Sequence, residues 1–198
     1  MIMDILNKRY KEALLRNEDE VAGEIQRYLF LDIDGVLNTN RYSDYLIDHD
    51  EDYNDEYGAI FDPEAVENLA CIIKNVPELK IIISSTWRFK GWDYMNRLWE
   101  KRCLPGTIHS FTPELEVVCF VDKINRKDTT SVYPYGTRGL EINEWLRQNA
   151  GINPLMYKYV IIDDETDLLL KQRENLILTD PYHGITKEDV VKSLEILL

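Results

Sequence analysis

Three short apolar runs stop at residues suited to phosphate chemistry. Tyr28-Leu29-Phe30-Leu31 ends at Asp32-Ile33-Asp34-Gly35, Lys80-Ile81-Ile82-Ile83 ends at Ser84-Ser85-Thr86, and Tyr159-Val160-Ile161-Ile162 ends at Asp163-Asp164. If the runs are neighbours, Asp32, Asp34, Asp163 and Asp164 share one site, and carboxylates that close cannot all stay ionised without compensation. A divalent cation supplies it, and hard oxygen ligands without histidine favour Mg2+. An aspartate beside such an ion can attack phosphorus and form an aspartyl-phosphate. A second acid then protonates the leaving oxygen and later activates water, a role open to Asp34, two residues on. Serine or threonine after the second run would hydrogen-bond the phosphoryl oxygens, and a fixed cation would complete the cradle.

The elements that must position these groups follow from the patterning. Runs that are apolar on both faces suit central strands of a covered parallel sheet. Asp62 as N-cap and Pro63 at the first position open a helix with Val66, Leu69, Ala70 and Ile73 on its apolar face, ended by Pro77. An aromatic helix follows around Trp92–Trp99, and another starts at Thr137-Arg138 and runs through Leu146 to a Gly151 C-cap. Leu115–Val121 and Leu176–Leu178 read as further strands, and Thr186–Asp189 makes a capping box for a last helix. Strands alternating with helices imply an α/β fold, a mostly parallel sheet with helices on both faces and ligands at the carboxyl ends of the strands. Residues 1–26 are expected to be a helical lead-in to an α/β domain over 27–198. The polar, tyrosine-rich insert at about 39–61 reads as a loop or small cap. Its acidic run Asp48–Asp52 should face solvent away from the site, and Tyr42, Tyr45, Tyr53 and Tyr57 are candidates for a substrate entrance. Trp92, Trp99 and Trp145 are expected in the core.

Composition sets the outer limits. The 198 residues are 44% hydrophobic, 11% aromatic and 30% charged, which excludes disordered and fibrous classes. No apolar run approaches the roughly 20 residues of a membrane span, and Met1–Lys11 has no signal-like apolar region, so a cytoplasmic protein is expected. Basic residues number 23 and acidic residues 36, a net charge of −13 that disfavours non-specific duplex DNA and anionic lipid but not a local phosphate pocket. Cys71, Cys103 and Cys119 form no C-x-x-C pair and His49, His109 and His183 add no zinc spacing, so neither structural zinc nor a disulfide framework is expected. The absence of G-x-x-x-x-G-K and G-x-G-x-x-G removes P-loop and dinucleotide readings.

With the motifs in hand, Asp32-x-Asp34-Gly35-Val36-Leu37-Asn38 resembles the first motif of the haloacid dehalogenase (HAD) superfamily, Ser84 its second and Asp163-Asp164 its fourth, in order between about Tyr28 and Leu178. The resemblance implies a Rossmann-like core with a minimal or small cap, Asp32 as nucleophile and Asp34 as acid/base. It implies Mg2+ held by Asp32, the Asp34 backbone carbonyl and an acid of the Asp163-Asp164 pair. An acid at position 34 favours phosphoryl transfer over dehalogenation. The third motif commonly carries lysine; Arg138 is the candidate here, with Lys123 and Lys127 as alternatives. Ser84-Ser85-Thr86-Trp87-Arg88, Thr112-Pro113 and Trp145-Leu146 look like a compact HAD branch of bacterial and phage proteins, some fused to RNA-repair modules. In that reading Ser84, Ser85, Arg88 and Arg138 bind phosphate, Arg88 having a salt bridge to the insert as its competing role. The expected function is a magnesium-dependent phosphomonoester hydrolase for a nucleotide or polynucleotide end. The alternatives are a small-metabolite phosphatase of the same mechanism and a non-catalytic magnesium/phosphate-binding module.

Overall fold

A computed structural model of the chain describes residues 25–115, 138–151 and 153–198. The first apolar run lies in β1 (Gln26–Leu31), the centre of a five-stranded sheet. On one side β1 pairs with β4 (Leu79–Ile83), which pairs with β5 (Ile108–Phe111); on the other it pairs with β6 (Tyr157–Asp163), which pairs with β7 (Leu176–Leu178). Every pairing is parallel, giving the order β5-β4-β1-β6-β7. This is the α/β, Rossmann-like arrangement expected from the alternation of strands and helices.

Side chains alternate across the sheet and divide the core in two. Leu29, Leu31, Ile81, Ile83, Val160 and Ile162 belong to the larger cluster. It includes residues of α2 (Pro63–Asn75), α3 (Trp92–Lys101) and α5 (Lys187–Leu197). Tyr28, Phe30, Ile82 and Ile161 face the other way, onto Ile142, Trp145 and Leu146 of α4 (Arg138–Asn149). Trp145 seats that helix: its ring meets Tyr28 and Phe30 edge-on at 5.0 and 5.3 Å between centroids, and its Nε1 donates to Ser110 Oγ at 2.9 Å.

Helix boundaries follow the capping residues. Asp62 accepts from the Glu64 N–H ahead of Pro63, and Thr186 and Asp189 form the capping box of α5. The buried stripe of α2 is Ala65, Asn68, Leu69 and Ile72, one step round from the apolar face read in the sequence, with Val66 and Ile73 only half-buried. Asn68 goes inside because its Nδ2 donates to the Ile185 carbonyl at 2.8 Å.

The insert is more ordered than a loop. It holds α1 (Asn40–Asp48), capped by Thr39 accepting from the Tyr42 N–H, and a two-residue antiparallel pair, β2 (Asn54–Asp55) with β3 (Gly58–Ala59). Only Leu46 of α1 is buried, so helical periodicity left little trace in hydrophobicity. Its two ends are clamped together where Thr39 Oγ1 and Arg41 Nη2 both donate to buried Asp62 Oδ2 at 2.8 Å.

Strand β5 was not expected, because Ile108-His109-Ser110-Phe111 has no continuous apolar run. Trp92 departs from its expected core position: it is 47% exposed against Phe111, whereas Trp99 and Trp145 are buried. The expected helix over residues 1–26, most of the expected strand Leu115–Val121, and Lys123, Lys127 and Cys119 lie outside the described residues. Cys71 and Cys103 are free and exposed. Among the described residues no helix is long and apolar enough to cross a membrane.

Trp145→Ala should therefore destabilise the domain by about 3–5 kcal/mol, since it empties the seat of α4. Trp145→Phe, which keeps a ring and loses the Ser110 bond, should cost only about 1–2 kcal/mol. Urea unfolding midpoints measure both, and equal midpoints for the two variants would contradict the packing argument.

Candidate active site

Register, rather than loop folding, brings the candidate residues together. The Ser84 N–H donates to the Leu31 carbonyl, the Asp32 N–H to Ile162 and the Thr112 N–H to Ile83, at 3.0–3.1 Å. Each parallel pairing thus continues one residue past its strand and sets Thr112, Ser84, Asp32 and Asp163 in one row across the sheet. Being two residues on from Phe30, Ile82 and Ile161, Asp32, Ser84 and Asp163 face the side that α4 covers.

The first residue of α4 closes the row. Arg138 Nη1 donates to Asp163 Oδ2 at 2.5 Å and stands 3.2 Å from Asp32 Oδ2. The helical period explains the aim, because Arg138, Ile142 and Trp145 lie on one stripe and the last two are buried against the sheet. Gly139 lets this turn come close: its N–H donates to the Asp167 carbonyl, its carbonyl accepts from Gln172 Nε2 at 2.9 Å, and a Cβ there would collide with the Leu169 backbone.

Asp32 and Asp163 are buried and Asp164 is half-buried. One carboxylate oxygen from each can be chosen so that all three lie within 4.8 Å of one another. Asp163 Oδ1 also accepts from the Glu165 N–H. Asp164 lies over the Gly35 backbone, which turns in the left-handed region at φ 68°; a Cβ at Gly35 would strike the Asp164 carboxylate. The Gly35 carbonyl is held by Thr179 Oγ1 at 3.0 Å.

Three clustered carboxylates against one guanidinium leave the pocket short of positive charge. Burial, followed by the neighbouring Asp32, pushes the Asp163 carboxyl up to about 7 although Arg138 pulls it down. The same two causes raise Asp164. Arg138 is pulled down by burial, but Asp32 and Asp163 outweigh that and hold it above its ordinary value. An all-oxygen set with only one guanidinium to compensate three carboxylates fits a hard divalent cation.

The remaining candidates lie around this cluster. Asp34 is exposed; its Oδ1 accepts from Asn38 Nδ2 at 2.7 Å and its Oδ2 from Trp87 Nε1 at 2.9 Å. Ser84 Oγ is buried without a hydrogen-bond partner among the described residues, and so is Thr112 Oγ1 beside it in the row. Ser85 Oγ accepts from the Trp87 N–H and caps the short 3-10 turn Thr86–Lys90. Arg88 lines the site, but its Nη1 donates to the Ser84 and Ser85 carbonyls and its Nη2 to Glu141 at 2.7 Å, so its salt bridge is to α4 and not to the insert. Burial pulls Arg88 below its ordinary value, against Glu141.

Asp32, Asp34, Arg88, Arg138 and Asp164 line an open cavity of about 340 Å3, whereas Asp163, Ser84 and Ser85 lie buried behind its wall. Glu114, Glu165 and Asp167 make its outer part acidic, and Phe89, 57% exposed, also lines it. The acidic run Asp48–Asp52 and the insert tyrosines do not line it. Thr112 was noted in the sequence only as a family feature, and Glu141 not at all. Its i, i+3 spacing from Arg138 places it on the same helical face, a signal available once Arg138 was chosen.

With this geometry established, comparison with known families is decisive. The profile of the HAD domain in Swiss Army Knife RNA repair proteins matches residues 28–190. The chain belongs to this family. It is thus an RNA-repair-like domain of the HAD superfamily, whose members are generally phosphatases or other hydrolases. No curated protein and no solved structure matches the chain.

The raised Asp163 sets a pH dependence. Because the folded chain holds this proton more tightly than an unfolded chain titrating near 3.8, the stability it contributes is full below about pH 4 and is lost as pH rises towards 7. In chelator, the melting temperature of the wild type minus that of Asp163→Asn should fall across that window. Mg2+ at pH 7 should raise the wild type more than the variant. A pH-independent difference, or equal responses to Mg2+, would contradict the charge argument.

Proposed function

We propose that this HAD domain is a magnesium-dependent phosphomonoesterase that works through an aspartyl-phosphate, on a nucleotide or polynucleotide end. The observation that carries this reading is the row of Ser84, Asp32 and Asp163 with Arg138 fixed between the two carboxylates. In it Asp32 is the nucleophile, and Arg138, 3.2 Å away, aims its carboxylate. The buried Ser84 hydroxyl, which has no partner among the described residues, would donate to a phosphoryl oxygen. Ser85 contributes through its place in the same turn, and Arg88 through its charge and Nε, which has no partner among the described residues.

Asp32, Asp163, Asp164 and the Asp34 backbone carbonyl would hold Mg2+. When bound, the ion neutralises charge on the transferring phosphoryl group. Asp34 supplies the proton to the leaving oxygen and later removes one from water.

A base-bearing end is supported by Phe89, an exposed ring beside the carboxylates that a nucleobase can stack on. The acidic outer cavity offers little to a run of backbone phosphates, so recognition should be confined to the terminal nucleotide.

Phosphate release with and without chelator tests this on an aryl phosphate, mononucleotides, sugar phosphates and oligonucleotides phosphorylated at either end. Magnesium-dependent release from base-bearing substrates is expected, with Asp32→Asn reducing kcat by on the order of 10^3-fold or more while remaining folded. Release from sugar phosphates alone would favour a metabolite phosphatase. Silence from a folded, magnesium-binding protein would favour a non-catalytic module, and wild-type turnover by Asp32→Asn would overturn the mechanism.

A further inference from the structure

We propose that Trp87 is a positioning residue for proton transfer: its indole N–H fixes the Asp34 carboxyl at the cavity. The inference rests on the phosphatase reading and extends it to a residue that touches neither phosphate nor metal.

Asp34 lies past the end of β1 and is exposed, so its carboxyl by itself would turn freely among rotamers. General acid catalysis needs the opposite, a proton held in one direction towards the departing oxygen. Donors on both oxygens supply that restraint. Trp87 Nε1 donates to Oδ2 at 2.9 Å and Asn38 Nδ2 to Oδ1 at 2.7 Å, which sets the carboxyl plane and leaves lone-pair sites free on each oxygen.

The two donors are anchored differently. Asn38 belongs to the same loop as Asp34 and so restrains it only locally; its Oδ1 accepts from the Gly35 N–H at 3.0 Å. Trp87 reaches across from the turn after β4 and is itself immobilised. The residue is only 8% exposed, its ring lies 5.7 Å from the Phe61 ring, and Lys90 Nζ stands over it at 4.6 Å from the centroid. A buried indole N–H normally finds a partner within the protein interior. Here that partner is the exposed Asp34 carboxylate at the candidate site.

In the first step the Asp32 oxygen forms a bond to phosphorus as the bond to the leaving oxygen breaks, and Asp34 gives its proton to that oxygen, releasing an alcohol. In the second, ionised Asp34 takes a proton from water, whose oxygen bonds to phosphorus as the Asp32–phosphorus bond breaks. Phosphate leaves, with Asp32 free and Asp34 reprotonated. Only the first step depends on the leaving group: an alkoxide needs the proton, whereas p-nitrophenolate departs without it.

The test compares 2-glycerophosphate or a nucleoside monophosphate with p-nitrophenyl phosphate, in Mg2+. Trp87→Phe keeps a ring and removes the donor. Its kcat/KM, which reports the first step because the leaving group departs there, should fall about 10-fold or more on the alkyl esters and within about twofold on the aryl ester, while any loss in the shared second step lowers kcat on both alike. Asp34→Asn should show the same pattern with a larger loss, and adding W87F to it should cost nothing more on the alkyl esters. Should W87F fail to fold, Asn38→Ser should give a smaller loss of the same leaving-group-dependent kind. Equal losses of kcat/KM on both ester types, no loss on either, or a further loss in the double variant would overturn the proposal. Those outcomes leave the phosphatase reading intact provided that Asp32→Asn is inactive; if that variant turns over normally, the reading itself fails.

Discussion

Like charges placed on adjoining strand ends repel, and the position of Arg138 between Asp32 and Asp163 is the contact on which the rest of this site depends. Parallel pairing gives the two aspartates no freedom to separate, because hydrogen bonds on both sides of β1 fix their register. Removing the guanidinium would leave two buried carboxylates facing each other, the arrangement in which one must take up a proton. Much of the surrounding structure serves to deliver that one cation. Trp145 seats α4 on the sheet, Gly139 lets its first turn approach, and Gln172 and Asp167 hold the turn from the other side.

A second buried ion pair braces the opposite wall. Arg88 and Glu141 are both almost wholly enclosed, and Arg88 ties the turn after β4 to α4 while binding the carbonyls of Ser84 and Ser85. Such a pair contributes little net stability compared with an apolar contact of equal size, but it tolerates few alternative geometries. Its effect is to hold the Ser84 backbone in place relative to the helix that carries Arg138.

The part of this design legible in the sequence was what period and polarity record. Continuous apolar runs ending in Asp32, Ser84 and Asp163 gave the three central strands and the end of the sheet where the site lies. Asp62, Pro63, Thr186 and Gly151 marked helix ends through local chemistry. What escaped depended on contacts between distant segments. Strand β5 has only Ile108 buried and carries His109 and Ser110, and Ser110 is polar because it answers the Trp145 indole. Helix α1 shows one buried residue, too few to establish a period. Trp87 stood in a noted motif, but that its indole N–H would reach Asp34 follows only from the folded distance. The partner of Arg88 was misjudged for the same reason, Glu141 being 53 residues away in the chain.

The central place of β1 also governs when the site can exist during synthesis. Its row draws on residues 32, 84, 112 and 163, and β6 must dock along the free edge of β1 before Asp32 meets Asp163. A nascent chain that ends before Tyr157 therefore carries its candidate nucleophile without the acidic neighbour. The electrostatic cost of the site then falls on one late, non-local docking event, the kind of contact that chain topology makes slow. The order of assembly thus keeps the earlier intermediates free of the charge crowding that the finished domain has to contain.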